Sequence, residues 1–270
     1  MVATLNSNVF SEADLVSAGR KPMRIRPLKA YRHFRNLMAN KEDTEQVFHI
    51  IGALNGNALM RDFKAFLGTD KGQARMAERR YLPPLLDDHA RWKALPDGTV
   101  GRAYVDFMER EGLTAQGLVD EYDTFGANAE AGVMGYDDPI DWYGNRLRDT
   151  HDLCHIMTGY GRDALGEACV LGFSFSQNKG LGVLFISHMA GREIKKYAPK
   201  DANIMAAVKQ GRRIGKAAQK LVAEDILELM QEPLEAARTR LGFTPATHYT
   251  QVHETLREHG FDPKEMLAAA

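Results

Sequence analysis

The stretch Arg146–Glu167, RLRDTHDLCHIMTGYGRDALGE, decides how the chain is read. His151 and His155 are four residues apart, so on a helix they stand one turn above each other, rotated by only about 40°. Asp152 lies about 100° round from His151, which leaves His155 between the two and gathers two imidazoles and a carboxylate onto one arc. On a straight helix, Glu167 would be roughly 18 Å beyond His155, so the chain must turn back to bring it near. Gly159-Tyr160-Gly161 supplies the turn, because paired glycines end a helix with little strain at φ > 0. A second helix starting near Arg162 or Asp163, with Asp163 as its cap, returns Glu167 to the histidines. His151, Asp152, His155 and Glu167 then suit one divalent metal, zinc by default, with iron or manganese as alternatives. The bland alternative is a structural pair of core histidines. Asp152 argues against it, being a poor interior helix residue and a costly group to bury without a cation.

The rest of the chain sets limits on this reading. Its 270 residues are 44% hydrophobic with a net charge of −1, enough for one large core and no argument for a nucleic-acid partner. Two cysteines, Cys154 and Cys169, make no disulfide framework and point to a reducing compartment. Cys154 faces about 100° away from His155 and reads as a small buried hydrophobe. The first eighteen residues have neither the charge nor the apolar run of a signal or transit peptide, and no window of about 18 apolar residues could span a bilayer. The expectation is a cytoplasmic protein, soluble or peripheral on the inner membrane. Two basic stretches bear on that choice. Arg20, Lys21, Arg24, Arg26, Lys29, Arg32 and Arg35 occur without an acidic residue among them, with Leu28, Tyr31, Phe34, Leu37 and Met38 at helical spacing behind. Lys209, Arg212, Arg213, Lys216 and Lys220 form the second. Either could meet an anionic membrane surface or be an ordinary solvated helix face.

Helical periodicity runs through the whole chain. Helices are expected from Asp43 or Thr44 to Leu54, from Leu59 to Leu67, from Leu85 to Leu95 and around Tyr104–Met108, with Leu113 to Phe125 polar and irregular. Ile140 to Arg148 leads into the metal helix, and Arg146 and Arg148 stand five and three residues before His151, where they could orient ligands or greet an anionic substrate group. The apolar segments around Val170–Phe175 and Leu181–Met189 read as helices, either core or the walls of a slot for a greasy ligand. Ala202–Val222, Pro233–Leu241 and a short helix in the tail complete an all-α, single multi-helix domain with its metal site between two consecutive helices. The boundaries expected are a flexible segment at 1–19, the metal-binding domain at 20–245 and a C-terminal tail at 246–270.

His151-Asp152-Leu153-Cys154-His155 followed by Glu167 resembles the H-D-x-x-H…E zinc motif of the coenzyme Q (ubiquinone) biosynthesis protein number four family. Leu95 to Tyr104 with Phe107-Met108 resembles that family's L-P-x-G-[ST]-x-G-x-A-Y…F-M segment, Arg146-x-Arg148 its arginines before the metal helix, and Pro233-Leu234 with Arg238 and Leu241-Gly242 its carboxyl end. The resemblance spans roughly residues 59–245. It implies an all-α protein with a divalent metal on His151, Asp152, His155 and Glu167. It implies action at a membrane face on a polyprenylated benzenoid precursor, with loss of the ring C1 carboxylate and its replacement by hydroxyl. Asp152 and Arg148 are the candidate catalytic residues. The partners implied are a prenylated quinone precursor or isoprenoid lipid and other ubiquinone biosynthesis proteins; a homodimer is compatible with the reading. Two rivals come from other classes. A lipid-binding scaffold would use the same metal without turnover. A His-Asp doublet phosphohydrolase would leave His155 and Glu167 unexplained, and a zinc protease would need glutamate where Asp152 stands.

Overall fold

Backbone contact between two helices sets the centre of the molecule. Helix α11 (Ala164–Asn178) lies against α13 (Ile204–Ala217) so closely that a Cβ on Gly211 would meet the Cys169 carbonyl oxygen at 2.4 Å, and one on Gly215 the Phe173 carbonyl oxygen at 2.4 Å. Glycine one turn apart on α13 is what permits this approach. Helix α12 (Leu181–Tyr197) covers another side of α11, with Ser187 Oγ donating to the Ala168 carbonyl at 2.6 Å. The computed structural model describes residue 20 and residues 24–40, 43–126 and 137–265. The segment expected to be flexible at 1–19, Lys21 of the basic run and the last five residues lie outside the described residues.

Around this centre the chain runs through α1 (Pro27–Ala39), α2 (Thr44–Leu54), α3 (Ala58–Leu67), α4 (Asp70–Glu78), α5 (Pro83–Leu86), α6 (His89–Lys93), α7 (Val100–Glu111), α8 (Ala115–Gly126), α9 (Pro139–Asp149) and α10 (His151–Thr158). After α13 a 3-10 turn at Leu221–Ala223 leads to α14 (Ile226–Leu229), α15 (Leu234–Leu241) and α16 (Thr247–Glu258). Among the described residues there is no strand, only a single bridge between Thr99 and Pro233. The expected all-α architecture stands. One large core takes side chains from α5 to α16, including Trp92, Tyr104, Phe107, Leu153, Val170, Phe173, Ile214, Leu241 and Val252. Two smaller clusters lie under α3 with α9 and under α1 with α2.

Several local readings change. Residues 115–126 are helical rather than irregular, and their first turn is capped twice: Thr114 Oγ1 accepts from Gly117 N at 2.9 Å, and Ala115 N and Gln116 N donate to the two Asp87 carboxylate oxygens at 2.7 and 2.9 Å. The single helix expected over 85–95 is two short ones, Asp87 serving α8 while Asp88 caps α6 through Arg91 N at 3.2 Å. On α1, Phe34 and Leu37 are buried, but Leu28 and Tyr31 are 86% and 51% exposed, so they do not belong to its core face. Tyr249, Val252 and Leu256 of α16 enter the main core. Val170, Phe173 and Ile186, each at most 3% exposed, carry the core faces of α11 and α12, whereas Phe175, Val183 and Leu184 are half-buried and Leu181 is 40% exposed. No helix among the described residues is long and apolar enough to cross a membrane.

Forcing a methyl group into the α11–α13 contact should therefore be felt. Gly211→Ala is expected to lower unfolding free energy by about 2 kcal/mol, in the range of core overpacking. Gly68→Ala, at an exposed helix end with nothing nearer than 3.4 Å, is expected to change it by less than about 0.5 kcal/mol. Urea denaturation of the two variants checks both.

Candidate metal centre

Helix α9 ends at Thr150, whose hydroxyl donates to the Arg146 carbonyl at 2.8 Å, and α10 starts at once with His151. It closes at Gly159, in the left-handed region at φ 77°, and its last carbonyls are bonded by Arg238 of α15: Nη2 donates to Ile156 O at 2.7 Å and Nε to Met157 O at 3.1 Å. Asp163 then caps α11 by accepting from Gly166 N at 3.1 Å. The chain doubles back as expected, although of the paired glycines only Gly159 takes φ > 0. Gly166 allows the tight return, since a Cβ there would collide with the Gly161 carbonyl oxygen at 2.0 Å.

The return brings His151, His155 and Glu167 together, with one ligand atom from each lying within 4.8 Å of the others. Glu167 Oε2 is 3.8 Å from His151 Nε2, and Oε1 is 3.6 Å from His155 Nε2. The two imidazoles meet edge to face at 5.2 Å. His155 is almost fully buried and stacks on Phe107 of α7 at 5.4 Å. Its Nδ1 lies 3.1 Å from the Tyr160 carbonyl oxygen and donates to it, which leaves the lone pair on Nε2. Nε2 is buried with no hydrogen-bond partner. An imidazole whose far nitrogen is fixed by a carbonyl, and whose near nitrogen presents a bare lone pair to a carboxylate and a second imidazole, is the arrangement of a metal ligand. The donor set, two nitrogens and one carboxylate, fits zinc in the three-ligand form that keeps a position open.

Electrostatics act oppositely on the two imidazoles. Burial alone would discourage the His151 cation, but the carboxylates of Glu167, 3.8 Å away, and Asp152 outweigh this and raise its pKa above 6.5, so a metal ion would have to displace a proton there. Burial likewise pushes the Glu167 carboxyl up, and His155, His151 and Arg162 more than reverse it, so its pKa lies below 4.5. Burial holds His155 below 6.5, in its neutral, ligating form.

The other expected residues are placed differently. Asp152 is half-buried in the first turn of α10, outside the close trio, although its charge acts on both histidines. Arg148 donates to Asp149 Oδ1 through Nε at 2.9 Å and lies over the Tyr122 ring at 5.2 Å. Arg146 is not available to a substrate: it is 3% exposed and donates to the carbonyls of Val222 and Glu224 at 2.7 and 2.6 Å, fixing the 3-10 turn to α9.

The family model described as coenzyme Q (ubiquinone) biosynthesis protein Coq4 matches residues 36–247. The chain belongs to the Coq4 family. A mitochondrial COQ4 homolog 1 of Culex quinquefasciatus is 27% identical over 174 residues, 63% of this chain and 59% of that protein. A mitochondrial coq-4 of Neurospora crassa is 26% identical over 179 residues, 64% and 46% of the two chains. The chain thus spans about half the length of these curated relatives. A crystal structure from Nostoc punctiforme, of a protein provisionally assigned to ubiquinone biosynthesis, covers 81% of this chain and 99% of its own at 20% identity with a TM-score of 0.61, which shows the shared fold.

The Coq4 segments quoted from the sequence touch one another. Val100 N donates to Glu232 O at 2.9 Å, Gly101 N to Met230 O at 2.7 Å and Leu234 N to Gly98 O at 2.8 Å, so the Leu95–Tyr104 and Pro233–Leu241 segments form one support. It presents Phe107 to His155 and Arg238 to the end of α10. A second support was not legible in the sequence. Tyr249 OH and His253 Nε2, one turn apart on α16, both bond the Asp163 carboxylate, the histidine at 3.2 Å, while Tyr249 OH also accepts from Gly161 N at 3.0 Å. The Coq4 turn between His155 and Glu167 is clamped from the C-terminal helix.

Tyr249→Phe should loosen that clamp and weaken zinc binding about tenfold, read by competition with a chromophoric chelator, with the helical content unchanged. Asp163 also makes a pH prediction. Burial disfavours its carboxylate, but His253, Tyr249 and the Gly166 amide hold its pKa below 3.8. Its contribution to stability is complete above 3.8 and is lost as pH falls through the lower native value. Acid unfolding of Asp163→Asn should accordingly have a shallower dependence on pH below 3.8 than that of the wild type.

Proposed function

We propose that this Coq4-family chain is a metal-dependent enzyme that removes the ring C1 carboxylate of a polyprenylated 4-hydroxybenzoate-type precursor during ubiquinone synthesis. The bare, buried Nε2 of His155, turned toward His151 and Glu167, carries the reading. His151, His155 and Glu167 would hold a divalent ion, which would supply Lewis-acid stabilisation of negative charge on ring oxygens. Tyr160 fixes the tautomer of His155, and Phe107 fixes its ring plane. Asp152, which the motif makes a fourth ligand, is a carboxylate beside the trio that can also take the phenolic proton at its Oδ atoms. Arg148 can greet the substrate carboxylate by exchanging it for Asp149. C1 gains a proton as carbon dioxide leaves; replacement by hydroxyl draws instead on dioxygen and a two-electron reductant. The exposed Ile25, Leu28 and Tyr31 beside Arg24, Arg26, Arg32 and Arg35 support work at an anionic membrane face, where the prenylated substrate and other ubiquinone biosynthesis proteins would be met.

Purified protein loaded with zinc, iron or manganese and given a prenylated 4-hydroxybenzoate analogue is expected to release carbon dioxide, with at least a hundredfold loss in His155→Ala and Glu167→Gln (about 10²-fold or more for lost metal support). Release of no carbon dioxide with any metal would remove the enzymatic reading. Asp152→Asn is expected to lose turnover while still assembling with partner proteins.

A further inference from the structure

Away from the metal centre, α3, α11 and α13 enclose an open cleft of about 410 Å³ lined by Arg61, Lys179, Lys216 and Lys220 with one carboxylate, Asp62. Its size is within the range of about 300–1,000 Å³ typical of ligand sites. Four cations face one anion, and that anion is already taken: Asp62 is buried, bonded by Lys220 and by the Tyr143 hydroxyl at 2.5 Å.

The usual reason for lysines at such a place is also met from elsewhere. Both α11 and α13 end at the cleft, and helix C-termini attract cations to their free carbonyls. Those carbonyls have partners: Lys179 Nζ donates to Ser176 O at 2.7 Å, and the buried Gln177 amide donates to Gly215 O at 2.7 Å and Ala218 O at 3.2 Å. Arg61 and Lys216, from different helices, remain with no side-chain partner among the described residues. Like charges on facing walls of an open cleft repel one another, the more so at low ionic strength, and a multiply charged anion relieves that repulsion. A single carboxylate would neutralise too little; a phosphate dianion offers the charge, and its oxygens match a guanidinium bidentately.

We propose that this cleft binds a phosphate dianion, carried either by a soluble phosphomonoester or diphosphate or by a phospholipid head group. The inference stands apart from the metal chemistry. It touches it structurally, since Gln177 forms a wall of both this cleft and a small cavity beside His151.

The test uses full-length protein and inorganic diphosphate as the probe, followed by calorimetry at low ionic strength. The wild type is expected to bind with a Kd in the millimolar range or tighter, and R61E/K216E about tenfold or more weakly. The reversal R257E/K264E, at exposed sites elsewhere, makes the same change in net charge and is expected to bind as the wild type does. Absence of wild-type binding, or equal loss in both double variants, overturns the proposal. A second arm identifies the source. Sedimentation with phosphatidylcholine vesicles containing phosphatidic acid that falls in R61E/K216E and is displaced by diphosphate assigns a lipid head group. Diphosphate binding without any cleft-dependent vesicle capture assigns a soluble phosphate. Unaltered circular dichroism and zinc uptake in R61E/K216E keep a folding defect from imitating either result.

Discussion

A buried imidazole nitrogen with nothing to bond costs free energy, on the order of 1–3 kcal/mol for an unmet polar group. His155 Nε2 is such an atom. The strain cannot be relieved by a simple ring flip, because Nδ1 is held by the Tyr160 carbonyl and the ring face by Phe107. The same five-residue reach from His155 to Tyr160 closes α10, sets the turn and so fixes where α11 begins and where Glu167 points. Donor atom, tautomer and turn are one constraint, and a divalent ion would satisfy it.

Much of the remaining structure can be understood as support for that turn. Its first half is capped by Arg238 and its second by Asp163, which is in turn bonded by Tyr249 and His253. Arg238 reaches α10 because the Leu95–Tyr104 and Pro233–Leu241 segments are tied by backbone bonds, and α16 reaches Asp163 because its apolar face enters the main core. The turn is therefore held by elements up to 90 residues away in sequence, among them the C-terminal helix α16. A site built this way can present open coordination without collapsing when no ion is bound.

What the residues disclosed beforehand was local. The i, i+4 histidines, the Gly-Tyr-Gly break and the Asp163 cap are governed by helix geometry and φ preferences, and each is found where periodicity puts it. Contacts between distant segments were not disclosed. Residues 115–126 looked irregular although Thr114 caps them locally through Gly117 N; their second cap, Asp87, comes from the link between α5 and α6. Arg146 looked like a free cation because the carbonyls that bind it belong to Val222 and Glu224. Leu28 and Tyr31 shared a helical spacing with core residues, yet the stripe that α1 buries is narrower than the apolar pattern and leaves them in solvent. Tyr249 and His253 carry the i, i+4 spacing of a bidentate grip, but no local rule names Asp163 as its object.

The central claim is that one divalent ion is held jointly across the doubled-back pair α10 and α11. Anomalous diffraction at the zinc edge from zinc-loaded crystals tests it most directly. The account predicts a single strong peak about 2.0–2.2 Å from His151 Nε2, His155 Nε2 and a Glu167 carboxylate oxygen. A peak elsewhere on the molecule, or none with the three side chains left as they stand, would contradict it.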